Sequence, residues 1–169
     1  MTDSKTLILN HQQIENKISR IAYQIYEKNY EEKEIVIVGI TDRGYVLAKK
    51  LNKVLQQISS LKIKLAELSL DKNAPHENKN IQFSIPLSDL NNQSVVLVDD
   101  VLNSGKTLIY GVRFLLDFPI KRLKTVVLVD RSHKRFPVQA DFVGLSLSTT
   151  LQEHIHVEFA DANDAVYLC

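Results

Sequence analysis

The sequence predicts an α/β fold, a twisted and mainly parallel sheet flanked by helices with a small hood over one edge. Three features support this. Apolar runs rich in β-branched residues, Ile35–Val38, Val95–Val98 and Thr125–Val129, suit strands buried on both faces. Between them apolar residues recur at helical spacing, so strands and helices alternate through residue 130 in the manner of βαβ units. The later segments, Gln139–Gly144, His154–Phe159 and Ala165–Leu168, read as short strands. Terminal segments of this kind are expected to build the hood over the carboxyl edge of the sheet. Neither an internal repeat nor a linker interrupts the chain, so residues 1–169 read as one domain.

Composition narrows the function classes. A chain of 169 residues, 44% apolar and 24% charged, has the balance of a globular protein with a real core. A net charge of +1 gives no global attraction to nucleic acid, and an RNA site would have to be a local patch. Cys169 is the only cysteine, which excludes an internal disulfide. No apolar run reaches transmembrane length and Met1-Thr2-Asp3-Ser4-Lys5 does not open as a signal peptide, so the cytoplasm is the expected compartment.

Taken in order, Asn10 is placed as an N-cap, with Gln13 completing a capping-box pair. Ile14, Ile18, Ile21, Ala22 and Ile25 give the first helix its core face, and Lys17, Arg20, Glu27 and Lys28 its solvated face. The strand Ile35–Val38 ends in Gly39-Ile40-Thr41-Asp42-Arg43-Gly44. Two glycines bracketing a polar loop suit an anion site, and Arg43 could pair with a phosphate bidentately, although glycine also bounds many plain βα loops. Val46, Leu47, Leu51, Val54, Leu55 and Ile58 make the next helix face. Lys62–Leu70 alternates early and reads as an edge-leaning strand. Asp71–Asn80 has almost no apolar residue, and little area to offset ordering entropy, so it is expected to be a mobile loop. Ile81–Pro86 returns the chain to the sheet.

The centre of the sequence is Ser94–Thr107, S-V-V-L-V-D-D-V-L-N-S-G-K-T. A buried strand runs into two acids, then a tight polar turn, then a helix that starts near Lys106 and Thr107. Ligands of open parallel sheets sit beyond the carboxyl ends of strands, where a helix N-terminus offers free N–H groups to a phosphate. Gly105 lets the backbone approach an anion, Ser104 and Thr107 add hydroxyls and Lys106 adds charge. Asp99 and Asp100 repel phosphate but suit sugar hydroxyls, directly or through a divalent cation. Together these groups suggest a ribose 5-phosphate. A Walker A loop is disfavoured because Asp100 stands where its first glycine belongs, and no G-x-G-x-x-G is present. A strand ending in a plain capped turn is the remaining alternative. The helix carries Leu108, Val112, Leu115 and Leu116 and ends before Pro119. His154 and His156 share a strand face with no third metal ligand apparent, and Asp161–Asp164 marks a turn.

Val95–Thr107 resembles the phosphoribosyl-pyrophosphate (PRPP) signature of type I phosphoribosyltransferases: an apolar run, two acids, two apolar residues and a polar glycine-containing loop. The resemblance implies the type I phosphoribosyltransferase fold, PRPP and a nucleobase as substrates, Mg²⁺ as cofactor, and a nucleotide and pyrophosphate as products. It places Asp99 and Asp100 at the ribose hydroxyls, holding the metal directly or through water, and Asn103, Ser104, Gly105, Lys106 and Thr107 around the 5-phosphate. It gives the leaving pyrophosphate to Ile40, Thr41, Asp42, Arg43 and Gly44, in a loop that often holds a non-proline cis peptide in this family, and counts Arg43 with the two acids as catalytic. The loop Asp71–Asn80, with Lys72, is implied to close over the reaction centre and exclude water. A homodimer or larger homo-oligomer and no membrane partner are expected.

Within the family the chain is similar to the PyrR type, pyrimidine-operon attenuators that are also uracil phosphoribosyltransferases. G-I-T-D-R-G, V-L-V-D-D-V-L-N-S-G-K-T and L-V-D-R-S-H-K-R-F-P-V-Q-A-D-F-V-G carry the similarity, and the last, with Arg131 and His133, is assigned to the hood. The chain departs from that type at informative places. Asp71-Lys72-Asn73-Ala74 replaces the usual loop Y-R-D-D, and Gly144–Thr150 replaces G-K-N-I-P-T-S beside the base. Gln139, Leu145 and Tyr23 stand where Arg, Lys and His serve RNA binding, so RNA attenuation is expected to be weak or absent. Asn103 stands where transferases of 6-oxopurines carry an acid that exchanges a proton with purine N7, and PyrR proteins, commonly with Tyr there, also lack that acid. A pyrimidine such as uracil is therefore the expected base. The alternative is a regulator that binds RNA or senses nucleotides with little turnover.

Overall fold

The structure is a computed structural model that describes residues 5–77 and 79–169. The main chain forms β1 (Thr6–Leu9), α1 (His11–Asn29), β2 (Glu34–Ile40), α2 (Arg43–Ile58), β3 (Lys62–Ser69), β4 (Gln82–Phe83), β5 (Ser94–Leu102), α3 (Lys106–Leu116), β6 (Arg122–Asp130), β7 (Phe142–Ser146), β8 (Ile155–Glu158) and β9 (Ala165–Leu168). Two sheets result. The larger has the order β4-β3-β2-β5-β6-β7 and is parallel except for the short β4. The smaller, β1-β9-β8, is antiparallel and draws on both ends of the chain. No described helix is long and apolar enough to cross a membrane.

The apolar strand runs become central strands because both their faces are covered. Along β2 and β5, Ile35, Ile37, Val96 and Val98 join α1 and α2 in one core, while Val36, Val38, Val95 and Leu97 join α3 in the other. Alternate side chains thus feed opposite cores, as the pleat requires. Helix α1 starts as its sequence dictates. Asn10 Oδ1 accepts from Gln13 N at 2.9 Å and Gln13 Oε1 accepts from Asn10 N at 2.9 Å. At its other end the buried Asn29 accepts from Ser94 Oγ at 2.6 Å and Arg122 Nη2 at 2.8 Å, which ties α1 to the first residues of β5 and β6.

The crossovers diverge at the centre of the sheet. From β2 the chain crosses through α2 to β3 on one side, and from β5 it crosses through α3 to β6 on the other. The carboxyl ends of β2 and β5, hydrogen-bonded neighbours, therefore bound a topological switch point, where open α/β sheets bind ligands.

Several elements differ from the sequence-based expectations for local reasons. β1 is not marked by any alternation or turn signal in the sequence. It exists because Thr6, Leu7 and Leu9 pair with Leu168, Tyr167 and Val166, about as distant in sequence as the chain permits. Gln139–Asp141 stays outside β7. Thr125 Oγ1 donates to Gln139 O at 3.1 Å, and Asp141 Oδ2 accepts from Thr125 N at 2.8 Å, so side-chain bonds hold this stretch and the strand starts at Phe142. β3 lies second from the edge, yet β4 covers only Leu68 and Ser69, which leaves its lysine-rich start at an open edge. Arg20, expected on the solvated face of α1, donates to Val143 O at 3.1 Å and Gly144 O at 2.7 Å.

Candidate active site

The two acids lie near the carboxyl end of β5 at the switch point. Asp99 and Asp100 are only 5% and 8% exposed, although both are carboxylates. Asp99 Oδ1 accepts from the Asp100 N–H at 2.9 Å. Asp100 Oδ2 accepts from Arg43 Nε at 3.0 Å, a bridge from β5 to the first residue of α2. Burial above all, and then the neighbouring Asp100 carboxylate, push Asp99 well above the ordinary aspartate range; the Asp100 N–H and the Lys72 ammonium pull it back. Lys72 of the 71–80 loop thus acts on Asp99 electrostatically.

Gly44 makes this close approach possible. A Cβ there would stand 2.8 Å from Val98 O and 3.0 Å from Asp99 Oδ1, so only glycine lets the start of α2 lie against the end of β5. Ile40 ends β2, Thr41 and Asp42 form the turn, and Arg43 and Gly44 already belong to the helix. The peptide between Thr41 and Asp42 is cis. The turn is fastened to β3, with Thr41 N donating to Leu68 O at 3.0 Å and Thr41 Oγ1 to Glu67 Oε1 at 2.7 Å. The first N–H groups of α2, which begins at Arg43, have no carbonyl one turn back within the helix and carry a partial positive charge.

The second turn follows β5. Gly105 takes φ 86°, the left-handed region that favours glycine, and so turns Asn103–Gly105 into the first residue of α3. Ser104 Oγ accepts from Lys106 N at 3.2 Å, and Ser104 O accepts from Arg135 N at 2.7 Å and Phe136 N at 3.1 Å. A small cavity of about 50 Å³ is lined by Asp99 together with Val101–Leu108, so one acid and the whole turn, Lys106 and Thr107 included, face the same anion-sized space.

Arg131 and His133 follow β6 at the carboxyl edge of the larger sheet, not within the three-stranded one. Arg131 is 8% exposed and its donors are engaged: Nε to Thr149 Oγ1 at 3.1 Å, Nη1 to Asn103 Oδ1 at 3.3 Å, and Nη2 to Thr150 O at 3.1 Å and Glu153 O at 2.8 Å. His133 Nε2 meets Thr149 O. Arg131 therefore braces the phosphate-type turn against the segment leading into β8, a role that its sequence neighbours did not signal. The 71–80 loop shows local order as well. Asp71 Oδ1 accepts from Asn73 N at 2.9 Å and Ala74 N at 3.2 Å, and Pro75 is buried; Asn78 lies outside the described residues.

A second polar cluster lies away from this crevice. His11, Glu15 and Asp164 bring ligand atoms within 4.8 Å of one another, a grouping that no local sequence pattern announces. Lys50 Nζ already stands 2.9 Å from Asp164 Oδ2, so a lysine cation neutralises the buried acid and pins the turn before β9 to α2. His154 and His156 gain no third ligand of that closeness among the described residues.

A family model described as phosphoribosyl transferase domain matches residues 4–163. The chain is 35% identical to a pyrimidine operon regulatory protein of Lactococcus lactis subsp. lactis over 173 residues, covering 95% of each. It is 32% identical to the bifunctional protein PyrR of Bacillus subtilis over 174 residues, covering 97% of this chain and 96% of that one. In fold it is similar to the hypoxanthine phosphoribosyltransferase of Trypanosoma cruzi, with a TM-score of 0.79, 16% identity and 96% of both chains covered.

Proposed function

Because the chain belongs to the phosphoribosyl transferase domain family and has its type I α/β fold, we propose that it transfers ribose 5-phosphate from PRPP to a nucleobase, a pyrimidine such as uracil, and releases pyrophosphate. The observation that carries the reading is the Asp100–Arg43 bridge at 3.0 Å, which joins the acid pair on β5 to the N-terminus of α2 across the switch point. One anion site alone would fit many phosphate ligands. Two anion sites with a pair of carboxylates between them fit a sugar phosphorylated at both ends.

In this reading the turn Asn103–Thr107 and the start of α3 hold the 5-phosphate. Asp99 and Asp100 accept from the ribose hydroxyls, and Ile40–Gly44 with Arg43 hold the pyrophosphate. Fixing both phosphorylated ends leaves C1 between them, open to the base on the face opposite the leaving group. The C1–O bond breaks with its electron pair going to pyrophosphate. A ring nitrogen of the base forms the new C1–N bond with inversion and gives up its proton. N–H groups and Arg43 at the α2 end stabilise the charge that develops on the leaving group. The 71–80 loop, with Lys72, covers the centre and keeps water from the electron-poor C1.

Asp99 and Asp100 also suit Mg²⁺. Their oxygens are the hard donors that this ion prefers, and a cation would offset the burial and the Asp100 charge that raise Asp99. The two acids would hold it directly or through water, and bound there it would neutralise charge on the pyrophosphate. The test of the reading is PRPP-dependent release of pyrophosphate in the presence of Mg²⁺ and a base, and no release with any base would refute it.

A regulatory reading has support in the relative named a pyrimidine operon regulatory protein. The basic positions tied to RNA in the PyrR resemblance are replaced here by an exposed Tyr23, an exposed Gln139 and a half-buried Leu145, and Arg20 is committed to the β7 backbone. Binding of a pyrimidine leader RNA is therefore expected to be weaker than micromolar at physiological salt, because each lost phosphate contact lowers affinity steeply. A filter-binding salt series checks this, and nanomolar sequence-specific binding would contradict it.

A further inference from the structure

We propose that Glu67 is a positioning residue that sets the geometry of the pyrophosphate loop and links that loop to the stem of the 71–80 loop. The inference rests on the reading of Ile40–Gly44 as the pyrophosphate site. Glu67 lies on β3, outside the motifs that mark the active site in sequence, and an acid beside an anion site is unfavourable unless it does something else there. Its carboxylate accepts the Thr41 hydroxyl at 2.7 Å in a partly buried setting. That bond orients a loop residue whose N–H is also fixed, to Leu68 O at 3.0 Å. Thr41 is thus held at two points by consecutive residues of β3.

The same glutamate is fastened on its other side. Glu67 N donates to Ser84 Oγ at 2.7 Å and Ser84 N donates to Glu67 O at 3.1 Å. Ser84 directly follows β4, and β3 and β4 are the strands that enter and leave the 71–80 loop. Thr41, Glu67, Ser69, Gln82, Phe83 and Ser84 line a cavity of about 310 Å³, so the link runs beside open space and not through a packed core. A shift of the Thr41 hydroxyl on pyrophosphate binding is transmitted through Glu67 to both stems of the loop. Lys72 sits beyond those stems and acts on Asp99.

The test measures the affinity of the full chain for inorganic pyrophosphate with Mg²⁺ by calorimetry, with KM and kcat for PRPP alongside. Thr41→Val and Glu67→Ala are each expected to weaken pyrophosphate roughly tenfold, the effect of losing one hydrogen bond to a charged group. The double variant should be no worse than either single one, since both remove the same bond. Glu67→Gln, which keeps a carbonyl oxygen in place and removes the negative charge, should restore the affinity that Glu67→Ala loses. The loss should fall on KM for PRPP more than on kcat. Pyrophosphate should slow amide exchange over 79–84 in the parent and not in Thr41→Val. Additive losses, a Glu67→Gln as weak as Glu67→Ala, or variants that bind as the parent does would overturn the link alone. A parent that binds no pyrophosphate would overturn the pyrophosphate site itself and the link with it.

Discussion

Replacing Asp100 by Asn is expected to reduce transfer by about a hundredfold or more while the melting temperature stays within a few degrees of the parent. Asp100 fixes Arg43 with a carboxylate oxygen, and in the proposed reading it also accepts from the ribose, so the substitution is expected to disturb the sugar and the leaving-group site together. The stability effect is small because the Arg43 side chain is 47% exposed, and such pairs contribute at most about 1 kcal/mol. Asp99→Asn should lose turnover as well and gain stability. Burial raises the folded-state value of Asp99 above the ordinary aspartate value of 3.8, so the folded chain retains a proton that the unfolded chain releases. Asp99 thus weakens the fold progressively as pH rises above that value, and a neutral amide removes the loss. Thermal melts at acid and neutral pH check this: the advantage of Asp99→Asn over the parent should appear on going from acid to neutral. Full activity in Asp100→Asn would sink the assignment of the acids. A neutral-pH destabilisation in Asp99→Asn would sink the account of its burial.

The choice of base is the second large effect. With PRPP in excess, transfer to uracil or a related pyrimidine is expected to exceed transfer to hypoxanthine or guanine by about two orders of magnitude, the usual size of a general acid–base contribution. Asn103 carries the argument. A purine acceptor in this family is assisted by an acid at that position, and an amide neither loses nor regains a proton. Asn103 Oδ1 also accepts from Arg131 Nη1 at 3.3 Å, which turns the amide oxygen toward the brace. Asn103→Asp would introduce an acid beside the Arg131 guanidinium, held in its charged form and still unsuited to proton exchange. That variant should therefore gain little purine activity. Side-by-side kinetics of parent and variant check both points, and faster turnover of hypoxanthine or guanine than of uracil by the parent would contradict this role for Asn103.

Local chemistry explains how much of this was legible in the sequence. The strand run Val95–Val98, the acid pair and the Gly105 turn are contiguous, so each residue reports its neighbours and the strand, turn and helix start were legible together. The capping box at Asn10 and Gln13 was legible for the same reason. Contacts between distant segments were not. Arg131 is assigned from sequence only to the hood, but its partners are Asn103 and the 149–153 segment, and the pairing of β6 with β5 on one side and β7 on the other brings these together. Glu67 reads as an ordinary strand residue until the parallel pairing of β2 with β3 sets it against Thr41. The ion pair of Lys50 with Asp164 spans the first helical layer and the last turn of the chain, and β1 depends on the far end of the sequence for its partner. Periodicity and turn chemistry carry no information about such pairings.

The central claim is that the crevice between β2 and β5 holds PRPP and passes its ribose phosphate to a base. The most direct measurement is to incubate the full chain with PRPP, Mg²⁺ and uracil and to follow pyrophosphate release and nucleotide formation together, in the parent and in Arg43→Ala. The account predicts equal amounts of pyrophosphate and a pyrimidine nucleoside monophosphate from the parent, and roughly a hundredfold slower formation of both from Arg43→Ala. Nucleotide formation that is unchanged by Arg43→Ala, or a parent that releases no pyrophosphate with uracil or any other base, would contradict it.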